Sequence, residues 1–108
     1  MSEKIRKKAI PLEKYGMNDF AWEKVDALEL IKSLMNDKIG ILGGDLYKIT
    51  ENHLTPLYDN WSCDPFENET EEKYFFRSKI LSQQYIENYP VQFGERIIFS
   101  ITFTEQIS

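Results

Sequence analysis

The chain has 108 residues, 42% of them hydrophobic and 14% aromatic, enough for one compact core and too few for two ordinary domains. Its formal charge of −5 argues against nonspecific binding of nucleic acid or an anionic membrane, both of which require a clustered basic surface, and leaves a basic protein partner as the complementary class. A lone cysteine, Cys63, makes no internal disulfide, and no apolar run is long enough for a signal sequence or a bilayer span, so a soluble cytoplasmic protein is expected.

The first 17 residues are polar and locally basic, with Lys4, Arg6, Lys7, Lys8 and Lys14 set against Glu3 and Glu13. Such a segment reads as an interaction tail or a solvated end, loosely attached to a single domain that spans 1–108. Asn18 or Asp19 is positioned to cap a helix running to about Asn36, with Ala21, Val25, Leu28, Ile31 and Leu34 or Met35 at helical spacing and Trp22 extending the apolar face. A short strand is expected from Ile39 to Leu42. Gly43-Gly44 then fits either a two-residue hairpin turn, which needs positive φ, or a bulge within one long strand. Residues 46–49 have no clean polar face, so this strand is expected inside the sheet.

Pro56, Asp59-Asn60 and Asp64-Pro65 punctuate the next stretch and leave room for a short edge strand over 54–58. Asn68 and Glu71 resemble a capping box ahead of a second helix. That helix places Tyr74, Ser78, Leu81 and Tyr85 along one face, ends near Asn88 and is shut off by Pro90. From Arg96 to Thr104 the alternation is clear, with Ile97, Phe99, Ile101 and Phe103 on one side of a half-buried strand. The order of elements predicts an α+β fold: a small, mainly antiparallel sheet of three or four strands with two main helices packed on one face.

Between Lys48 and Lys73 there is no lysine or arginine, yet the stretch holds Glu51, Asp59, Asp64, Glu67, Glu69, Glu71 and Glu72, with Tyr58, Trp61 and Phe66 among turn residues. Acids mixed with aromatics suit a basic protein partner, because complementary potential steers the encounter and aromatic side chains anchor it. Glu69, Glu71 and Glu72 also have a structural explanation, since a helix N-terminus favours negative charge. Trp61 and Tyr58 either fold back onto the core or wait for a partner. Asp45, Tyr58, Asp59, Asp64 and Glu67 remain as candidate partner-binding residues.

Other chemistries are poorly supplied. Cys63, His53 and an acid such as Asp59 or Asp64 would be the parts of a small thiol enzyme, but three common residues in one loop favour an exposed histidine and a structural cysteine. Repeated Cys/His ligands and calcium-loop spacing are both missing, so no metal is expected. Gly43-Gly44-Asp45 lacks the phosphate-loop lysine, and Asp45 would repel an anion, so no cofactor is expected either. A regulatory interaction module is the other alternative to be kept.

Ile41-Leu42-Gly43-Gly44-Asp45-Leu46-Tyr47, Pro56-Leu57-Tyr58-Asp59-Asn60-Trp61 and Cys63-Asp64 together resemble the immunity protein 40 family of bacterial polymorphic toxin systems, over about residues 20–103. Trp22 and the helix ending near Tyr85 and Tyr89 are similar as well. The resemblance implies an α+β cytoplasmic protein, not an enzyme, that binds a cognate toxin domain and blocks it. The acidic surface would suit toxins with basic active sites, such as nucleases, whose phosphate positions carboxylates can occupy.

Overall fold

A computed structural model describes residues 8–105. The basic positions Lys4, Arg6 and Lys7 lie outside the described residues. Five strands form one antiparallel sheet: β1 (Ile10–Pro11), β2 (Phe20–Glu23), β3 (Ile41–Thr50), β4 (His53–Ser62) and β5 (Ile97–Phe103), in the order β1-β2-β5-β3-β4. Helix α1 (Lys24–Ser33) links β2 to β3, and α2 (Glu71–Asn88) links β4 to β5. The fold is α+β as expected, but the sheet has five strands rather than three or four.

Of the two additional strands, β2 comes from the part of the chain whose spacing imitates a helix, and β1 from the N-terminal segment, where no strand was expected. Phe20 to Glu23 is extended: Ile10 and Pro11 pair with Ala21 and Phe20, and Trp22 and Glu23 pair with Phe99 and Ile98. Asp19 is therefore not a helix cap. One of its carboxylate oxygens accepts the amide N–H of Phe20 and the other accepts the Ser100 hydroxyl. Because α1 starts only at Lys24, its buried face is Ala27, Leu30 and Ile31, and Val25 is 74% exposed. Including Ala21 and Trp22 in the helix rotates its apparent apolar face towards Val25, which explains the misplaced start.

Of the two expected arrangements the structure has the second: β3 runs through Gly43-Gly44 as one long strand, with a shift in its register against β5 between Ile41 and Gly43. The hairpin turn lies further on, at Glu51-Asn52, where Thr50 pairs with His53 and Glu51 has a φ of 54°. The glycines instead admit a close approach. A Cβ on Gly43, whose φ is 154°, would run into the carbonyl oxygen of Trp61, and one on Gly44 would meet the Trp61 ring and the Ser100 carbonyl. β4 is longer than the short edge strand expected, and it bulges between the Asp45–Asn60 and Tyr47–Pro56 pairs.

Both helices lie on one face of the sheet, over a core built from Trp22, Leu30, Ile31, Ile41, Leu46, Trp61, Ile86, Phe99 and Ile101. The serines of α2 join helix to sheet: the Ser78 hydroxyl accepts the amide of Ile41 (2.9 Å), and the Ser82 hydroxyl accepts the indole N–H of Trp61 (2.9 Å). Lys79 has only 1% of its surface exposed, and its ammonium donates to the carbonyls of Leu34, Met35 and Asp37 at 2.8, 3.2 and 2.8 Å. A cation thus closes the C-terminal end of α1, where unpaired carbonyls carry negative partial charge. Burial pushes the Lys79 pKa down.

The opposite face of the sheet is covered by the segment around Leu12. Leu12 is fully buried with Ala21, Ile49 and Ile98, and Ile10, Tyr15, Met17, Tyr47 and Leu54 pack around them. β5 is consequently buried on both faces from Ile97 to Ile101 rather than on one.

Candidate functional site

The five candidate residues fall into three places. Asp45 is exposed on the sheet face away from the helices: it pairs with Ser100 and Asn60, and shares its side of β3 with Tyr47, whose pKa is raised by burial and by the nearby charges of Asp45 and Asp19. Tyr58 and Asp59 occupy the β4 bulge near the C-terminal end of α2. Asp64 and Glu67 lie in the loop that precedes α2.

The bulge is held from both sides. Leu57 packs against the main core, and the Asp59 carboxylate accepts the Tyr89 hydroxyl at 2.6 Å. Tyr89 packs edge-on against Phe99, and Tyr85 lies between Tyr89 and the Trp61 ring, on which it stacks at 4.9 Å. The bond to Asp59, together with burial, pushes the Tyr89 phenol up to about 12. Between the two anchored neighbours, Tyr58 sits at a φ of 61° with 87% of its surface exposed. Positive φ in a bulky non-glycine residue is strained, so the flanking contacts must hold it there. Trp61, by contrast, belongs to the core.

The loop before α2 is organised by Arg77. Its guanidinium donates to both carboxylate oxygens of Glu69 (2.7 and 2.8 Å), to the Asp64 carbonyl (2.8 Å) and to the Cys63 sulfur (3.2 Å), and stacks 3.8 Å from the centre of the Phe66 ring. Arg77 is held cationic by this carboxylate, and its hydrogen bonds to Glu69, joined by the Phe66 amide, lower the Glu69 carboxyl to about 2. Glu69 is thereby consumed in structure, while Asp64 and Glu67 keep exposed carboxylates beside Phe66, which is 64% exposed. The helix start differs from the expected box: Thr70, not Asn68, caps α2 by accepting the amide of Lys73.

Tyr89, just past the end of α2, is twelve residues beyond Arg77, which at ~1.5 Å per residue separates the bulge from the loop by roughly 18 Å along the helix. Asp45 is on the far face of the sheet. The acidic run is therefore not one patch, although Tyr58 with Asp59, and Asp64 with Glu67 and Phe66, form two clusters along the β4 and α2 side. Spacing gave no means of finding Arg77 as the residue that neutralises Glu69, because the pair forms only once the loop folds back. Phe66 is one of the three aromatics visible in the acidic run, and its stacking on the Arg77 guanidinium is what the fold adds.

The parts of a thiol enzyme are not assembled. Cys63 is buried, its carbonyl accepts the Tyr74 hydroxyl, and His53 is exposed at the other end of β4. At ~3.3 Å per residue an extended strand of that length holds them roughly 30 Å apart. Among the described residues no group of three His, Cys, Asp or Glu side chains is placed to hold a metal ion, and no helix is long and apolar enough to cross a membrane.

The model of one protein family, immunity protein 40, matches residues 11–103. The chain belongs to the immunity protein 40 family. The match begins nine residues before the resemblance legible in the motifs, and so takes in the Leu12 segment that covers the back of the sheet. No curated protein and no solved structure matches the chain significantly. Membership in the immunity protein 40 family implies a toxin-neutralising immunity function exerted by binding a cognate toxin.

Proposed function

We propose that this immunity protein acts in the bacterial cytoplasm as a single noncatalytic domain, neutralising a toxin domain of a polymorphic toxin system by stoichiometric binding without a cofactor. The observation that carries the reading to a surface is Tyr58: an almost fully exposed aromatic, held in a strained backbone conformation between Leu57, which packs against the core, and the hydrogen-bonded Asp59. An anchor fixed before the encounter loses little conformational freedom on binding, and tyrosine is enriched among residues that dominate interfaces.

Asp59, Asp64 and Glu67 supply negative potential along the same side of the molecule, and Asp45 contributes from the other face if the toxin wraps the β4 edge. This polarity favours a basic toxin surface, such as the phosphate-binding cleft of a nuclease. Tyr58→Ala is expected to weaken toxin binding at least ~10-fold while leaving thermal stability unchanged or improved, because an interface anchor is lost and no core contact is. Unaltered affinity in a folded Tyr58→Ala protein would remove the bulge from the contact surface.

A further inference from the structure

A second surface lies at the other end of α2. Residues 35–38, which follow α1, and Glu71, Glu72, Phe75, Phe76 and Lys79 of α2 enclose an open recess of about 670 Å³. We propose that this recess receives a lysine- or arginine-bearing segment of the toxin. The proposal rests on the immunity reading and adds the chemistry of a specific contact to it.

Three observations converge. The floor is apolar: Phe75 is half-buried, and Phe76 leaves 57% of its surface exposed. The rim is acidic, because Asp37, Glu71 and Glu72 are exposed and their carboxylates make no ion pair or hydrogen bond among the described residues, in contrast to Glu69 and Asp59. Finally, the cation that lines the recess most deeply is already engaged, since Lys79 directs its ammonium to three carbonyls at the end of α1. Among the described residues the rim presents three carboxylates without an ion pair or hydrogen bond, Asp37 being the one near enough to Lys79 to oppose the downward shift of its pKa, against one exposed ammonium, that of Lys38.

Glu72 and Phe76 are four residues apart on α2 and therefore stand on one face of the helix. A carboxylate beside an exposed aromatic ring offers a basic side chain both an ion pair and a cation–π contact, while its aliphatic stem covers apolar floor. An anion would be repelled from the same rim. The volume lies within the range of pockets that enclose ligands much larger than one side chain, so a basic residue with its flanking backbone fits.

The test is binding to the toxin-domain protein encoded beside this gene, followed by association and dissociation rates at low and high salt. Glu71→Lys/Glu72→Lys is expected to slow association about 10-fold and flatten its salt dependence, and Phe76→Ser to speed dissociation about 10-fold. Circular dichroism verifies that both variants fold; should the charge reversal weaken the start of α2, Glu72→Gln provides the same kinetic readout. Wild-type rates and salt dependence in the folded variants would overturn the recess as a contact while leaving the immunity reading intact. A wild-type chain that fails to bind the toxin would overturn both.

Discussion

Gly44→Ala puts the packing of the β3–β4–α2 side to its most direct test. A methyl group at residue 44 would lie 2.7 Å from Cζ3 of Trp61, and closer still to Cη2 and to the Ser100 carbonyl oxygen. The Ser100 carbonyl is held by the pairing of β3 with β5 on both sides of Gly44, so the two strands must spread apart there and the Trp61 ring must move as well. Moving it strains a dense core, at about 1–3 kcal/mol, and strands the indole N–H now held by Ser82, at about 1–3 kcal/mol more. Loss of the stack on Tyr85 and the spreading of the strands add to this, so the expected total is at least about 3 kcal/mol. Urea unfolding followed by far-ultraviolet circular dichroism and tryptophan fluorescence measures it. Gly16→Ala is the control: its Cβ would meet nothing within 4 Å, leaving only the cost of a φ of 84°, about 1 kcal/mol. A Gly44→Ala protein no less stable than Gly16→Ala, with unchanged fluorescence, would refute the close-approach role assigned to the glycine.

Lys79→Met removes the donor from three carbonyls at the end of α1 and is expected to destabilise the protein by about 2–3 kcal/mol in urea; an unchanged midpoint would show that the ammonium does not hold that helix end. Glu69 has its carboxyl lowered from 4.5 to about 2 in the folded state, so its contribution to stability is present above pH 4.5 and is lost as pH falls through about 2. Arg77→Met should therefore flatten the acid side of a melting-temperature profile, and a slope identical to wild type would dissociate the pair from acid stability. The Tyr89 phenol, raised from 10.0 to about 12, contributes stability that is present below pH 10 and lost as pH rises through about 12. Asp59→Asn is expected to bring that titration down when followed by tyrosinate absorbance, and an unmoved titration would contradict the role of the 2.6 Å bond.

The parts of the fold that were legible in the sequence are those specified by local pattern. α2 has an apolar face, a proline after its end and acids at its start, and it runs to Asn88 as expected. β5 alternates clearly, yet burial of its second face depends on Leu12, which is far away in sequence and covers it from the back of the sheet. Trp22 was open to misreading because a four-residue strand running directly into a helix continues the helical spacing. Gly43-Gly44 carries the composition of a turn, but its glycines answer to the ring and backbone of Trp61 on a neighbouring strand, which no spacing rule encodes. The same holds for the acids. Their excess could be read directly, whereas the capture of Glu69 by Arg77 and of Asp59 by Tyr89 follows from tertiary contacts alone.

Titration of a fixed amount of the toxin-domain protein with this chain, at several incubation times, tests the central claim most directly. Stoichiometric neutralisation predicts that toxin activity falls linearly to zero near one equivalent and that the curve does not move with time. Continued loss of toxin activity at substoichiometric amounts would reveal turnover and contradict a noncatalytic inhibitor, and full toxin activity at excess chain would contradict neutralisation itself.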